Sequence, residues 1–322
     1  MTVRRTSRTI QTAFALCLAA FVAVALTACG TAPSSGANKT LGFVVYDVGV
    51  DPWMNVAIST VQEEAEAAGY KLSVVNGHND IAQMSSGMDQ LVTQKVDAIL
   101  LAPSDQDSMT PSIKRAEAAG IPVIAFSLAL SEDAPVSSFV GTDDVQVGRE
   151  QAKMVAGAIG NRGNVALMTG ILGSGPQIGR SEGFRAELQE NFPDVKLVEE
   201  QPNNWANDKT ISLTQDWLAK YPAGQINAVV AQGPELAAGA RLAKSMGRSE
   251  IVFVGNDYPE EMRESILAGD TYGTINGDPK EMAREAVAAM LTLLDGGTVQ
   301  PKIFVPIPPV TSANVADSPA AY

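Results

Sequence analysis

From Thr40 onward, short apolar and β-branched runs alternate with longer segments of helical periodicity. The first run, LGFVVY, carries Leu41, Phe43, Val44, Val45 and Tyr46, the composition of a strand buried on both faces of a parallel sheet. It stops at Asp47. Gly49 and Asp51-Pro52 turn the chain, and Pro52 suits a first helical position, which predicts a helix to about Ala68 that Gly69 ends. The same pattern predicts strands at 41–46, 72–75, 97–102, 122–126, 163–169, 195–199, 227–231, 251–255 and 271–276. Helices are predicted at 52–68, 82–94, 108–119, 144–159, 177–191, 207–220, 234–246, 259–268 and 280–294. Such an alternation is a βαβ series, whose parallel strands are joined by right-handed crossovers.

Two places break the rhythm. After strand 122–126 comes SLALSEDAP and then a second extended piece, Val136–Val140, with no helix between them. That predicts a connection leaving one sheet for a second lobe near 141–144. The segment Lys302–Val310, KIFVPIPPV, is extended, and its prolines exclude both a helix and a central strand. It reads as another strut crossing between lobes. The end of the first strand is where open α/β sheets hold ligands, and it offers Asp47 and Asp51 as acceptors and Trp53 as a flat apolar face. On the residues alone, Asp51 is either a helix cap or a ligand contact, and Trp53 either packs or stacks.

Composition changes this picture at one end of the chain. Arg4, Arg5 and Arg8 precede an apolar run from Ala13 to Leu26, too short to span a bilayer, and then Leu26-Thr27-Ala28-Cys29 follows. That close resembles the lipobox of bacterial lipoproteins, in which Cys29 is lipidated and becomes the first mature residue. The other cysteine, Cys17, lies inside the signal, so the mature chain has no disulfide. Residues 31–38, TAPSSGAN, read as a flexible tether. The formal charge is −13, and removing the three leader arginines leaves the remainder at −16. So acidic a body excludes nucleic acid as a partner.

Taken in order, the residues resemble the sugar-binding proteins of ABC importers, nearest the ribose-binding branch. The markers are DPWM after the first strand, DAILLAPSDQDSM in the third unit and IPVIAF before the crossover. GTDDVQVGREQA, GRSEGFRAEL, the VVAQG strand end and VFVGND follow, so the likeness covers Thr40 to about Ile307. The resemblance implies an α/β fold of two doubly wound, Rossmann-like lobes joined by a three-strand hinge, the type I periplasmic binding protein architecture. Ligand would sit in the cleft and hinge closure would exclude water. It divides the chain into a signal peptide at 1–28, a tether at 29–39, an N-terminal lobe at 40–141 plus 277–305, and a C-terminal lobe at 142–276 plus 306–322. It further implies a monomer, without cofactor or catalytic residues, anchored to the membrane through Cys29. That monomer would deliver a small neutral sugar or polyol to an ABC transporter permease, or present it to a membrane signalling partner.

On the family's pattern, the first contacts fall on Asp47, Asp51, Trp53 and Met54. Its arginine falls on Arg180, an aromatic lining position on Trp205 and a carboxylate acceptor on Asp257. Elsewhere the pattern is broken. Ser127-Leu128 stands where the ribose branch has an Asp-Arg pair, and Gly233-Pro234 where it has Asn-Asp. The glutamine that closes the ribose site falls near Asn276-Gly277-Asp278. Ser127, Gly233 and Asn276 thus become lining positions, and a site stripped of these hydrogen-bonding groups predicts that ribose is not the ligand. With Asp47, Asp51 and Asp257 ionised and Arg180 the one candidate cation, the cleft is net negative. It should turn away phosphorylated or uronic sugars and take a neutral sugar or polyol, or an amine-bearing ligand.

Other chemistries find little footing. Gly173-Ser174-Gly175 and Gly179 open a helix after a strand, but the spacing is GxGxxxG with Pro176 inside it, unlike a dinucleotide fingerprint. His78 is the single histidine and sits in a loop, which cannot build a usual zinc site. No GxSxG elbow or cysteine nucleophile appears, and no helix-turn-helix precedes Thr40.

Overall fold

The computed structural model describes residues 39–49 and 51–322, so the signal, Cys29 and the tether up to residue 38 lie outside the described residues. The apolar runs become the strands of two sheets. The first contains β1 (Thr40–Val45), β2 (Lys71–Asn76), β3 (Ala98–Ala102), β4 (Val123–Phe126), β5 (Ser138–Gly141) and β11 (Lys302–Phe304). Their order is β11-β5-β4-β3-β1-β2, and every pairing is parallel. The second contains β6 (Gly163–Thr169), β7 (Val195–Pro202), β8 (Ala228–Ala231), β9 (Val252–Asn256), β10 (Gly273–Ile275) and β12 (Pro309–Thr311). Its order is β12-β10-β9-β8-β6-β7, with only β10 and β12 antiparallel. Each sheet with its helices is one α/β lobe.

The helices fill the crossovers. The first lobe has α1 (Pro52–Ala67), α2 (Ile81–Gln94) and α3 (Thr110–Ala118), and regains α9 (Pro279–Leu294) after the excursion; α9 packs on α1. The second has α4 (Asp144–Ala158), α5 (Gly175–Asn191), α6 (Asn207–Lys220), α7 (Leu236–Ser245) and α8 (Glu260–Leu267). Both faces of the central strands are covered, which is why β3, β4 and β8 are apolar throughout, whereas the edge strands β2 and β7 carry polar residues. Phe43 and Leu100 face α1 and α9 beside Val61 and Met290, whereas the neighbouring Val44 and Leu101 face α2 and α3 beside Leu91 and Ile113. The period-two alternation of a strand thus serves two cores at once. Truncating one of these side chains, Leu100→Ala for example, would cost about 2–5 kcal/mol.

The chain passes between the sheets three times: from β5 to α4, from β10 to α9, and from β11 to β12. The crossings support one another, because Val305 N donates to Gly141 O at 2.9 Å and Asn276 N donates to Pro308 O at 3.1 Å. Pro306 and Pro308 lie in the last crossing, where the backbone leaves one sheet before joining the other and the missing N–H costs no ladder bond. β7 runs three residues past its predicted end, to Pro202. It is the edge of its sheet, so the partly buried Glu199 and Glu200 are tolerated there, paired with Lys220 and Arg185, and blunt the edge.

Candidate ligand-binding cleft

The carboxyl ends of both sheets open on one cavity of about 550 Å³ between the lobes. On the first lobe, the Asp-Pro turn builds the wall. Asp51 caps α1, with Oδ1 accepting from Trp53 N at 2.9 Å, and its Oδ2 accepts from the Tyr46 hydroxyl at 2.6 Å. Burial, and then the Asp51 charge, hold the Tyr46 phenol well above its usual range. Trp53 donates from Nε1 to Gly277 O at 3.0 Å and packs its ring on Phe126 at 6.0 Å. It therefore ties this wall to the second hinge crossing. Asp47 accepts from Val48 N and from Asn79 Nδ2, both at 2.9 Å. Asp51 is thus a helix cap and Trp53 packs, and both also line the cavity.

On the second lobe the wall is built by close helix packing. A Cβ at Gly148 of α4 would lie 2.0 Å from Arg180 O, and one at Gly183 of α5 would lie 1.9 Å from Val145 O. Only glycine allows that approach, and it brings Arg180 against Asp144, Nε to Oδ1 at 2.9 Å with both side chains nearly buried. Burial lifts the Asp144 carboxyl above its ordinary range, and the guanidinium opposes the shift. Arg180 also donates from Nη1 to Gln232 O at 2.7 Å, the same carbonyl that accepts from Trp205 Nε1 at 3.2 Å. Gln232 is fully buried, with Oε1 accepting from Gly170 N and Nε2 donating to Ser181 Oγ, both at 2.9 Å. Asn203, equally buried, accepts from Trp205 N at 3.1 Å and donates to Glu235 Oε1 at 2.6 Å. Asp257 Oδ1 accepts from Asn256 Nδ2 at 2.9 Å. Burial raises both Glu235 and Asp257 to about 7, and for Asp257 the charges of Asp51 and Glu235 add to the effect against Arg180.

Asp47, Asp51, Trp53, Ser127, Arg180, Trp205 and Asp257 line the cavity, as the sequence reading expected of them. Three predicted positions do not. Met54 is 1% exposed and belongs to the apolar core under α1, because the third residue of that helix already faces the sheet. Gly233 stands behind Trp205 and Glu235 rather than on the surface of the cavity. Asn276 is one residue early: Gly277 lines the cavity, and the Asn276 Oδ1 is buried without a partner. Arg180 is also no free cation, since Asp144 holds it.

The sequence reading missed Tyr46, Asn79, Asn204, Glu235 and Tyr322, all of which line the cavity. Tyr322 arrives on a tail pinned to the second lobe, where Ala321 N donates to Tyr258 O at 2.9 Å and Tyr322 O accepts from Glu260 N at 3.0 Å. Burial, and then the Asp257 charge, hold its phenol well above the usual range. Asn79, Ser127, Asn204, Trp205 and Asp257 all have φ between 54° and 64°. Left-handed backbone at non-glycine residues concentrates where structure over-determines it, typically at ligand sites. A second concavity of similar volume, beside Ile121 and Val136 of the first lobe, is more open and has few polar side chains. Among the described residues, no cluster of His, Cys, Asp and Glu is arranged to hold a metal ion.

A model of the periplasmic binding protein domain matches residues 41–298. The xylitol-binding protein of Mycolicibacterium smegmatis is 31% identical over 94% of this chain and 86% of its own length. The ribose import binding protein of Bacillus subtilis is 28% identical over 85% of this chain and 89% of its own. Among solved structures, an ABC transporter solute binding protein from Bacillus halodurans with bound myo-inositol superposes with a TM-score of 0.81 at 26% identity, covering 90% of this chain and all of that one.

Proposed function

This chain belongs to the periplasmic binding protein family, and from that membership we propose that it captures a small neutral sugar or polyol in the interlobe cleft. It then delivers the ligand to the permease of an ABC transporter. The observation that carries this reading is the convergence, from both lobes, of hydrogen-bonding side chains and two indoles on one cavity of monosaccharide size. Carboxylates accept from adjacent hydroxyls, and aromatic faces cover the C–H side of a polyol. The polyhydroxylated ligands named for the relatives and the solved neighbour support the class. Ser127-Leu128 and Gly233-Pro234, each short of polar reach, favour a polyol over ribose. The task is binding rather than turnover.

The lining supports one refinement. Among the described residues, Asp47, Asp51, Glu235, Asp257 and Glu261 face a single lining cation, Arg180, which Asp144 already holds. Anionic sugars are disfavoured, and an amine-bearing polyol is the second reading. We also infer that Cys29 is lipidated and holds the protein on the extracytoplasmic face of the membrane, on the strength of the basic, apolar and Leu-Thr-Ala-Cys sequence. Cys29→Ala should then appear in the soluble fraction or stay unprocessed, and unchanged fatty-acid labelling of that variant would end the idea. A thermal-shift screen of pentoses, hexoses, polyols and amino-polyols tests the ligand class. Ligand at about 100 Kd adds about 2.7 kcal/mol of stability. A response confined to sugar phosphates, or to no polyhydroxylated compound, would overturn the reading.

A further inference from the structure

Among the described residues that line the cavity, one side chain has a polar atom that is buried without a partner. Glu235 opens the way into α7 after Gly233-Pro234 and is 6% exposed. Asn203 holds its Oε1, whereas Oε2 is buried with no hydrogen-bond partner. A buried carboxylate oxygen without a donor is costly, and the protein supplies none. Room for that oxygen comes from Gly233. A Cβ there would lie 2.2 Å from Oε2 and 2.7 Å from Trp205 Cδ1, so Glu235 and the indole edge fill the place a side chain at 233 would take. Both line the cavity.

Asp257 repeats the construction on the neighbouring strand end, with Oδ1 held by Asn256. In each case an asparagine of the same lobe fixes one carboxylate oxygen. The two acids are also close enough that the charge of Glu235 raises the pKa of Asp257.

We propose that Glu235 is a direct ligand contact, its Oε2 accepting a hydrogen bond from a hydroxyl or ammonium group of the bound molecule. The inference rests on the reading of the cleft as a polyol site. A wall of this kind selects for a donor at one position of the ligand and rejects an analogue with hydrogen or an ether oxygen there, because the acid is then left unpaired.

Calorimetric titration of the full chain with xylitol, myo-inositol, D-ribose and D-glucamine, followed by deoxy analogues of whichever binds, tests this. E235Q keeps the shape and should weaken the binding probe about tenfold or more. G233A, which pushes the carboxylate aside, should do the same. Neither should weaken the one deoxy analogue that lacks the contacting group, a pattern that a merely structural role would not produce. Unfolding of the ligand-free variants, with E235Q expected to melt no lower than the parent, separates lost contact from lost fold. Unchanged affinity in both variants would overturn the role of Glu235 and leave the polyol reading standing. No binding of any of the four probes would overturn that reading and the contact with it.

Discussion

On the first lobe, the carboxylates of the cleft are answered by the protein itself. Asp51 is shared between a helix N-cap and the Tyr46 hydroxyl, and Asp47 between a backbone N–H and Asn79. On the second lobe they are buried more deeply and answered only in part. Glu235 and Asp257 are raised to about 7, and Glu235 Oε2 has no donor. One wall is finished before ligand arrives, and the other keeps unmet hydrogen-bonding capacity in reserve. The difference suggests a division of labour, in which the first lobe supplies a fixed template and the second supplies the groups whose energy falls on binding.

The largest expected effect is at the ion pair that supports the second wall. Arg180→Ala leaves Asp144 buried without its partner and should cost about 3–5 kcal/mol of stability, besides abolishing ligand binding. Replacing Asp144 as well, with leucine, should recover part of the loss. Tyr46→Phe removes one charge-assisted bond from the first wall and should cost about 1.5–3 kcal/mol. Denaturant unfolding of the four proteins decides. Equal costs for Arg180→Ala and Tyr46→Phe would erase the distinction between the walls.

The second effect is on pH dependence. Glu235 and Asp257 titrate near 7 in the folded chain, against ordinary values of 4.5 and 3.8. Between about pH 4 and 7 the folded state therefore binds more protons than the unfolded state, and stability falls as pH rises through that window. It levels off above. Asp80, Asp105 and Glu199 are shifted down, so their contribution is lost only below about pH 4, outside the window. The melting temperature of the ligand-free protein should be higher at pH 5.5 than at pH 8. The double variant E235Q/D257N should make the slope shallower, leaving the part that the raised Asp144 carboxyl contributes, and an unchanged slope in that variant would show that other groups set it.

A smaller change is expected at Asp51. Alanine there removes an N-cap, worth about 1 kcal/mol, and strands the Tyr46 hydroxyl. Asparagine keeps a cap and an acceptor, so Asp51→Asn should preserve stability while still weakening ligand binding. If Asp51→Ala and Asp51→Asn bind ligand like the parent, the residue is a helix cap and the template idea fails for it.

What could be read from the sequence follows the same division. The first wall is local: strand end, cap, Pro52 and Trp53 fall within eight residues, and their roles follow from adjacency along the chain. Even its one misplacement was legible. Met54, Ala57, Val61 and Ala65 repeat at helical spacing and are the buried face of α1, so Met54 belonged with the core. The two sheets and two of the crossings were legible because apolar runs, glycine stops and the prolines of KIFVPIPPV mark them directly, whereas the crossing between β10 and α9 interrupts no pattern and came only with the family resemblance. The second wall is assembled through space. Gln232 accepts from Gly170, Arg180 and Trp205 and donates to Ser181, partners drawn from the end of β6, from α5 and from the loop before α6, and the approach of α5 that places Arg180 depends on glycines whose partner helix the sequence does not name. Tyr322 gives no local signal, since its place depends on where the tail docks.

The smallest effect is the most discriminating, because it concerns the one residue of the first lobe that breaks its own rule. Ser127 lines the cavity with φ at 62°, and its hydroxyl makes no hydrogen bond to another described residue. Left-handed backbone costs an L-residue roughly 1–2 kcal/mol relative to glycine. Glycine in turn loses about 0.4–1 kcal/mol through the greater freedom of the unfolded chain. Ser127→Gly should therefore be slightly stabilising, by about 0.5 kcal/mol, and Ser127→Ala, which keeps the strain, should be neutral. If the unspent hydroxyl is held there for ligand, both variants should bind more weakly by about threefold to tenfold, the worth of one neutral hydrogen bond. Unfolding and calorimetry on the pair separate the two roles. Ser127→Gly that is destabilised and binds normally would mean that the turn, and not the ligand, requires serine.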